Sequence, residues 1–236
     1  MKPSGGSLSW FPGFLVKLSV FAVLCASLNL VFAGRLRADE FTQVSHYSAR
    51  MFSFETLTID TRVGNVRIKG WDEPRVEVEA EKLVRAGSQE KAEKLYDRLQ
   101  VDLEGEDRGV LLRTIYPPRR PWRPFRGESK LTVNYHIKMP YDANLHLKCV
   151  DGDVQISGLR GDQYIRVNYG DVEIDLPSVY RVRSVKARSW LGYVQSNLHG
   201  EDNAGFGPKV LYWDPSGEQD IDVRVRMGGI FIYKNQ

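Results

Sequence analysis

Apolar and polar positions alternate with a period of two over most of the chain, and five times the alternation restarts after a glycine. Leu57, Ile59 and Thr61 lead to Gly64, and Leu145, Leu147 and Cys149 lead to Gly152. Ile165 and Val167 precede Gly170, Val185, Ala187 and Ser189 precede Gly192, and Val223, Val225 and Met227 precede Gly228. A period of two places these side chains on one face of a strand and sends Lys148, Arg166, Lys186 and Arg224 to the wet face. Beyond each glycine the alternation resumes, in Val66 and Ile68, Val154 and Ile156, Val172 and Ile174, Val194 and Ser196, and Ile230 and Ile232. Glycine tolerates the positive backbone angle of a sharp corner, and the neighbouring Asn65, Asp153 or Asp171 closes the turn with its own side chain. One such strand-turn-strand unit cannot bury its apolar face alone, so its recurrence predicts units stacked on one another. The expected fold is all-β, a right-handed single-stranded parallel β-helix (β-solenoid).

The first two glycine phrases are 88 residues apart, so residues 71–144 form an insertion in this scheme. It begins with a strand alternating at Val76, Val78 and Ala80. Ala92, Leu95, Tyr96 and Leu99 then recur at helical spacing, with Ser88 as N-cap and Glu90 near the positive end of the helix. Leu103, Val110, Leu112 and Ile115 predict a hairpin around Gly105–Gly109, and Leu131, Val133, Tyr135 and Ile137 a strand leading back to the repeats. The fold therefore carries one inserted α-helix and an N-terminal β-hairpin excursion. Near the end, Gly205, Gly207, Pro208, Pro215 and Gly217 predict a loop around one short strand, Val210–Trp213.

Residues 18–33 are apolar, follow Lys2 and Lys17, and end in Val31-Phe32-Ala33, the pattern of a signal peptide cut after Ala33. Export is the expectation, to the periplasm or the cell surface, with residues 34–53 as a linker and 54–236 as one domain. An uncleaved anchor is the alternative, although the run is shorter than a bilayer span and contains Ser19, Ser27 and Asn29. Removing residues 1–33 takes Lys2 and Lys17 and lowers the formal charge from +3 to +1, which gives no general argument for nucleic acid. It also leaves Cys149 as the lone thiol, so no intramolecular disulfide is expected.

The first rung, the following Gly70-Trp71-Asp72 and Val76-Glu77-Val78, the charged helix and the Val-Asp-Gly-Asp-Val-Gln-Ile-Ser-Gly phrase together resemble the bacterial putative-adhesin family. The resemblance spans about Phe54 to Tyr233. It implies a right-handed single-stranded β-helix exported from a bacterial cell, and no catalytic residues to carry over. Two positions depart from the pattern: Ser196 stands where the fourth rung expects Ile, and a Pro/Arg-rich stretch, 117–128, interrupts the insertion.

That stretch holds Arg119, Arg120, Trp122, Arg123, Phe125 and Arg126, a set able to grip phosphate or carboxylate polymers by guanidinium forks and ring stacking. The competing reading is a solvated loop with little to bury. Asp153 and Asp171 recur at equivalent positions and, with Asp151, pose a choice between turn chemistry and a calcium or acid–base role of the kind used to cleave polysaccharides. The histidines, His46, His136, His146 and His199, lack metal-ligand spacing, and phosphate-loop, dinucleotide and nucleophile-elbow motifs are absent. No cofactor, metal or catalytic residue is assigned, and Gly64, Gly152, Asp153, Gly170, Asp171, Gly192 and Gly228 are read as structural turn repeats. The function expected is that of a non-enzymatic envelope protein presenting its surface for adhesion or for binding an envelope protein or anionic surface polymer. A carbohydrate-active enzyme and a membrane-tethered regulatory or structural component are the alternatives.

Overall fold

In the computed structural model, which describes residues 39–117, 131–198 and 203–234, the five turn glycines stack in a column whose order is not that of the chain. The order is 64, 152, 170, 228, 192. A Cβ on Gly152 would collide with the carbonyl oxygen of Gly64, one on Gly170 with that of Gly152, one on Gly228 with that of Gly170, and one on Gly192 with that of Gly228. At Gly170 and Gly228 the backbone also turns through φ +129° and +141°, so these two corners need glycine both for space and for conformation.

Fifteen strands and one helix build the described residues. Those leading toward the glycine column are β2 (Thr56–Val63), β8 (Asn144–Asp151), β10 (Gln163–Tyr169), β12 (Val182–Ser196, which runs through its corner) and β14 (Gln219–Met227). Those leaving it are β3 (Val66–Trp71), β9 (Val154–Ser157), β11 (Val172–Leu176) and β15 (Ile230–Lys234). Added to them are β1 (Asp39–Arg50), β4 (Arg75–Ala86), α1 (Gln89–Tyr96), β5 (Gln100–Glu106), β6 (Gly109–Ile115), β7 (Leu131–Pro140) and β13 (Asn203–Trp213). All strands join one sheet in the order β1-β4-β7-β3-β9-β11-β15-β12-β14-β10-β8-β2-β6-β5, with β13 branching from β12. Its two end strands, β1 and β5, come back into contact, so the sheet nearly closes on itself.

This corrects the expected fold. The chain is all-β, but it is not a right-handed single-stranded parallel β-helix; the strands are of mixed orientation in a nearly closed barrel. Winding as a β-helix requires coils in chain order and parallel throughout. Here β14 lies between β10 and β12, and β1 with β4, β4 with β7, β5 with β6 and β12 with β13 are antiparallel. The remaining pairs are parallel, as Leu147 with Ile165 and Val172 with Ile230, with one register shift, between Val182 and Ser184 where β12 meets β14.

Register is what makes the interior continuous. Side chains two apart share a face, so aligned strands carry Leu57, Leu145, Ile221 and their neighbours into one buried cluster spanning both halves of the wall. Of the inward positions expected, Met227 departs, being 41% exposed at the rim, whereas Ser189 and Ser196 are buried. Cys149 is buried as expected, and burial pushes its thiol up to about 11. Tyr135, fully buried, shares a hydrogen bond of 2.6 Å with the Thr114 hydroxyl.

Local readings differ in three places. Ser88 has the extended N-cap backbone but makes no side-chain cap bond, and α1 ends at Tyr96, short of Leu99. Residues 39–50, within the expected linker and including His46, form β1 because the whole length pairs with β4. Asn203–Trp213, expected to be mostly loop, is a strand because β12 supplies antiparallel partners along it, and this tertiary pairing outweighs its glycines and proline.

Candidate functional site

Two ladders of hydrogen bonds between rungs 18 to 88 residues apart tie the strand ends together, and with them the outer surface. Each side-chain Oδ1 accepts the backbone N–H of the next rung: Asn134 from Asn65 (3.0 Å), Asn65 from Asp153 (3.0 Å), Asp153 from Asp171 (2.9 Å) and Asp171 from Gly229 (2.6 Å). On the other side of the sheet Asn144 accepts from Asp162 (2.9 Å) and Asp162 from Asp220 (2.8 Å). Asp220 in turn forms an ion pair with Arg183 and accepts the Ser184 hydroxyl, and the Arg183 guanidinium holds its carboxyl below the usual range. Asp153 and Asp171 thus bond the backbone of the next rung, where a side chain closing its own turn was expected; among the described residues no cluster of His, Cys, Asp and Glu is arranged to hold a metal ion. The role of Asn134 and the second ladder were not foreseen; the signal available was an Asn or Asp at the start of three incoming strands, Asn144 of β8, Asp162 before β10 and Asp220 of β14.

Six neighbouring strands, β1, β4, β7, β3, β9 and β11, turn their outward side chains into a groove of about 770 Å³. In-register pairing arranges its lining in two lateral rows. The first runs His46, Glu79, His136, Arg67, Gln155, Glu173, and the second Ser48, Glu77, Lys138, Lys69, Ser157, Asp175. At about 4.8 Å per strand each row extends roughly 24 Å. Cations occupy the middle of the groove and carboxylates both flanks. Arg67 Nε donates to Gln155 Oε1 (3.0 Å), whose Nε2 donates to Glu173 Oε2 (3.2 Å), so three strands are tied side chain to side chain along the first row. Lys138 Nζ lies 3.9 Å from Glu77 and 5.4 Å from the Trp71 ring centre. His46 Nδ1 is 3.8 Å from Glu79. Among the described residues, no groove hydroxyl is hydrogen-bonded to a histidine. The arrangement offers many exchangeable polar contacts along a line, which is the chemistry of binding.

The other half of the wall has a groove of about 670 Å³ bordered by Asp60, Arg113, His146, Lys148, Tyr164 and Arg166. Here His146 meets Tyr164 edge to face, with centres 5.0 Å apart. The predicted contact residues Arg119, Arg120, Trp122, Arg123, Phe125 and Arg126 lie outside the described residues, as do the leader and His199.

No known protein family and no curated protein matches the chain's sequence. Solved structures do. A putative cell adhesion protein from Clostridium sporogenes has the same fold. It is 13% identical, with a TM-score of 0.52, over 82% of this chain and 100% of that one. Putative adhesins from Bacteroides fragilis (11% identical, TM-score 0.26) and Parabacteroides distasonis (10%, 0.24) each match 82% of this chain and 97% of their own. None of the described helices is long and apolar enough to cross a membrane.

Proposed function

We infer that this is a non-enzymatic protein of the cell envelope that uses its outer wall as a recognition surface for an extended partner or surface polymer. The observation that carries the reading is the pair of polar rows across six strands, a rigid surface whose contacts are spread along a line, where a substrate pocket would converge them on one point. The export pattern of residues 18–33 and the names of the structural neighbours support the setting. Membership of the putative-adhesin family, and an adhesive role with it, belong to this same reading.

Of the carboxylates the enzyme alternative would use, Asp151, Asp153 and Asp171, the last two each accept a backbone N–H of the neighbouring rung, which supports a structural role for them. The test is retention of the purified mature chain on envelope fragments. Arg67→Ser with Lys69→Ser and Glu173→Ser is expected to lower retention at least tenfold while leaving the melting temperature unchanged. Equal retention of variant and parent would overturn the groove as the recognition surface, and release of reducing ends or unsaturated sugars from acidic polysaccharides would overturn the non-enzymatic reading.

A further inference from the structure

Four cations stand side by side on the half of the wall that the polar groove does not use. Lys148 on β8 is in register with Arg166 on β10, Arg166 with Arg224 on β14, and Arg224 with Arg188 on β12. These pairs are parallel and unshifted, so all four side chains leave the sheet in the same direction, about 4.8 Å apart, and span roughly 14 Å. All four residues are exposed. Like charges directly opposite on neighbouring strands destabilise a sheet, and proteins ordinarily intersperse carboxylates to relieve this. The relief here is small. Arg224 is clasped by Asp222 on its own strand (3.0 and 2.8 Å), whereas Lys148, Arg166 and Arg188 have no carboxylate within 4.0 Å among the described residues. Asp60, next in register to Lys148, makes no ion pair with it. The row is not a consequence of overall charge, because the whole chain carries only +3.

Rings border the row. Tyr164, 41% exposed, precedes Arg166 by two residues, and Trp190, 69% exposed, follows Arg188 by two and has the Arg226 guanidinium 5.7 Å from its centre. The concavity of about 670 Å³ opens at the Lys148–Arg166 end.

We propose that the Lys148–Arg166–Arg224–Arg188 row binds a linear acidic polysaccharide, the carboxylates on the side facing the wall meeting the cations of the row. The row is long enough to lie along a few sugar units of an extended chain, and guanidinium forks donate bidentately to carboxylates. Exposed Tyr164 and Trp190 suit the apolar faces of sugar rings. A net charge of only +3 gives no general argument for nucleic acid, and a lipid surface asks for an apolar or scattered basic patch in place of a line. The site is separate from the mixed-charge groove, so the two stand or fall independently.

The test is calorimetric titration of the mature chain with an oligogalacturonate of defined length, at low and at moderate salt. Parent protein is expected to bind, more weakly as salt rises. Lys148→Ser with Arg166→Ser and Arg188→Ser is expected to weaken binding at least tenfold without lowering the melting temperature, while Lys91→Ser with Arg98→Ser, exposed on and just after the helix and in neither groove, keeps parent affinity. Undiminished binding by the triple variant would overturn the proposal. So would equal binding of a neutral oligosaccharide, or tighter binding of a single-stranded oligonucleotide or of phosphatidylglycerol vesicles. The envelope-retention assay with the groove variant reports on the other reading separately.

Discussion

Replacing Gly228 by alanine tests the stacking order directly. Its new methyl would meet the carbonyl oxygen of Gly170, a backbone atom that cannot rotate away, at a residue whose φ is +141°. Holding a non-glycine residue in that conformation costs about 1–3 kcal/mol. Forcing an extra carbon into a filled space adds about 1–3 kcal/mol. Together these give a loss of about 2–6 kcal/mol, which for a domain near two hundred residues lowers the melting temperature by roughly 4–24 °C. Gly87→Ala is the control, since a Cβ there has nothing within 4 Å; it should stay within about 1 kcal/mol of the parent. Urea unfolding followed by circular dichroism, with the slope held constant, measures both. A Gly228→Ala protein melting within about 2 °C of the parent would refute the close approach of the Gly170 and Gly228 corners.

The same order can be read by crosslinking: Tyr169→Cys with Met227→Cys, in register on adjacent strands, should oxidise to a disulfide, whereas Tyr169→Cys with Leu191→Cys, two strands apart, should not; gel mobility with and without reductant decides. Cys149 should resist thiol reagents at pH 8 in the native chain and react on unfolding. Because its folded pKa is raised to about 11 from a model-thiol value of 9.0, its contribution of about 2–3 kcal/mol is fully present below pH 9 and is lost as pH rises through 11; in Cys149→Ala that part of the alkaline decline should vanish from a melting-temperature profile. Tyr135→Phe removes the bond to Thr114 and should cost about 0.5–1.5 kcal/mol by urea unfolding. Arg166→Gln relieves two like-charge neighbours and should raise the melting temperature at low salt, a gain that shrinks as salt screens the row; a fall would contradict the unrelieved repulsion.

What could be read from the chain was whatever a few neighbouring residues dictate. The glycines marked corners because the backbone angle is a local need, and the period of two placed Leu147, Val167 and Val194 inside; the Asn and Asp beside them bond the next rung, 88, 18 and 58 residues away for Asn65, Asp153 and Asp171. What escaped was set by partners far away in sequence. The placement of Gly228 between Gly170 and Gly192 depends on strands 58 and 36 residues apart recognising one another, and no local pattern encodes which edge a strand will choose. β1 is exposed along most of its length, so it shows little alternation to betray it. The orientation of β4, β7 and β13 follows from their connections, and repeats in the sequence could not announce antiparallel strands that do not share them.

The cationic row stands between these cases. Counting back four residues from Gly152, Gly170, Gly192 and Gly228 gives Lys148, Arg166, Arg188 and Arg224, so its membership was available once the glycines were aligned; taking Lys186 as the fourth member misses the row, because Lys186 faces Asp222. That four-residue count stayed constant while the strand order changed, because the corner glycine fixes the phase of each incoming strand whichever neighbour it meets. In-register pairing then gives equal positions equal surroundings. Inside, this aligns valine with valine and lowers free energy; outside, it aligns arginine with arginine and raises it. A surface that accepts the second consequence at three neighbouring interfaces has gained nothing in stability from doing so, which is the physical reason to seek an anionic partner there before anywhere else on the molecule.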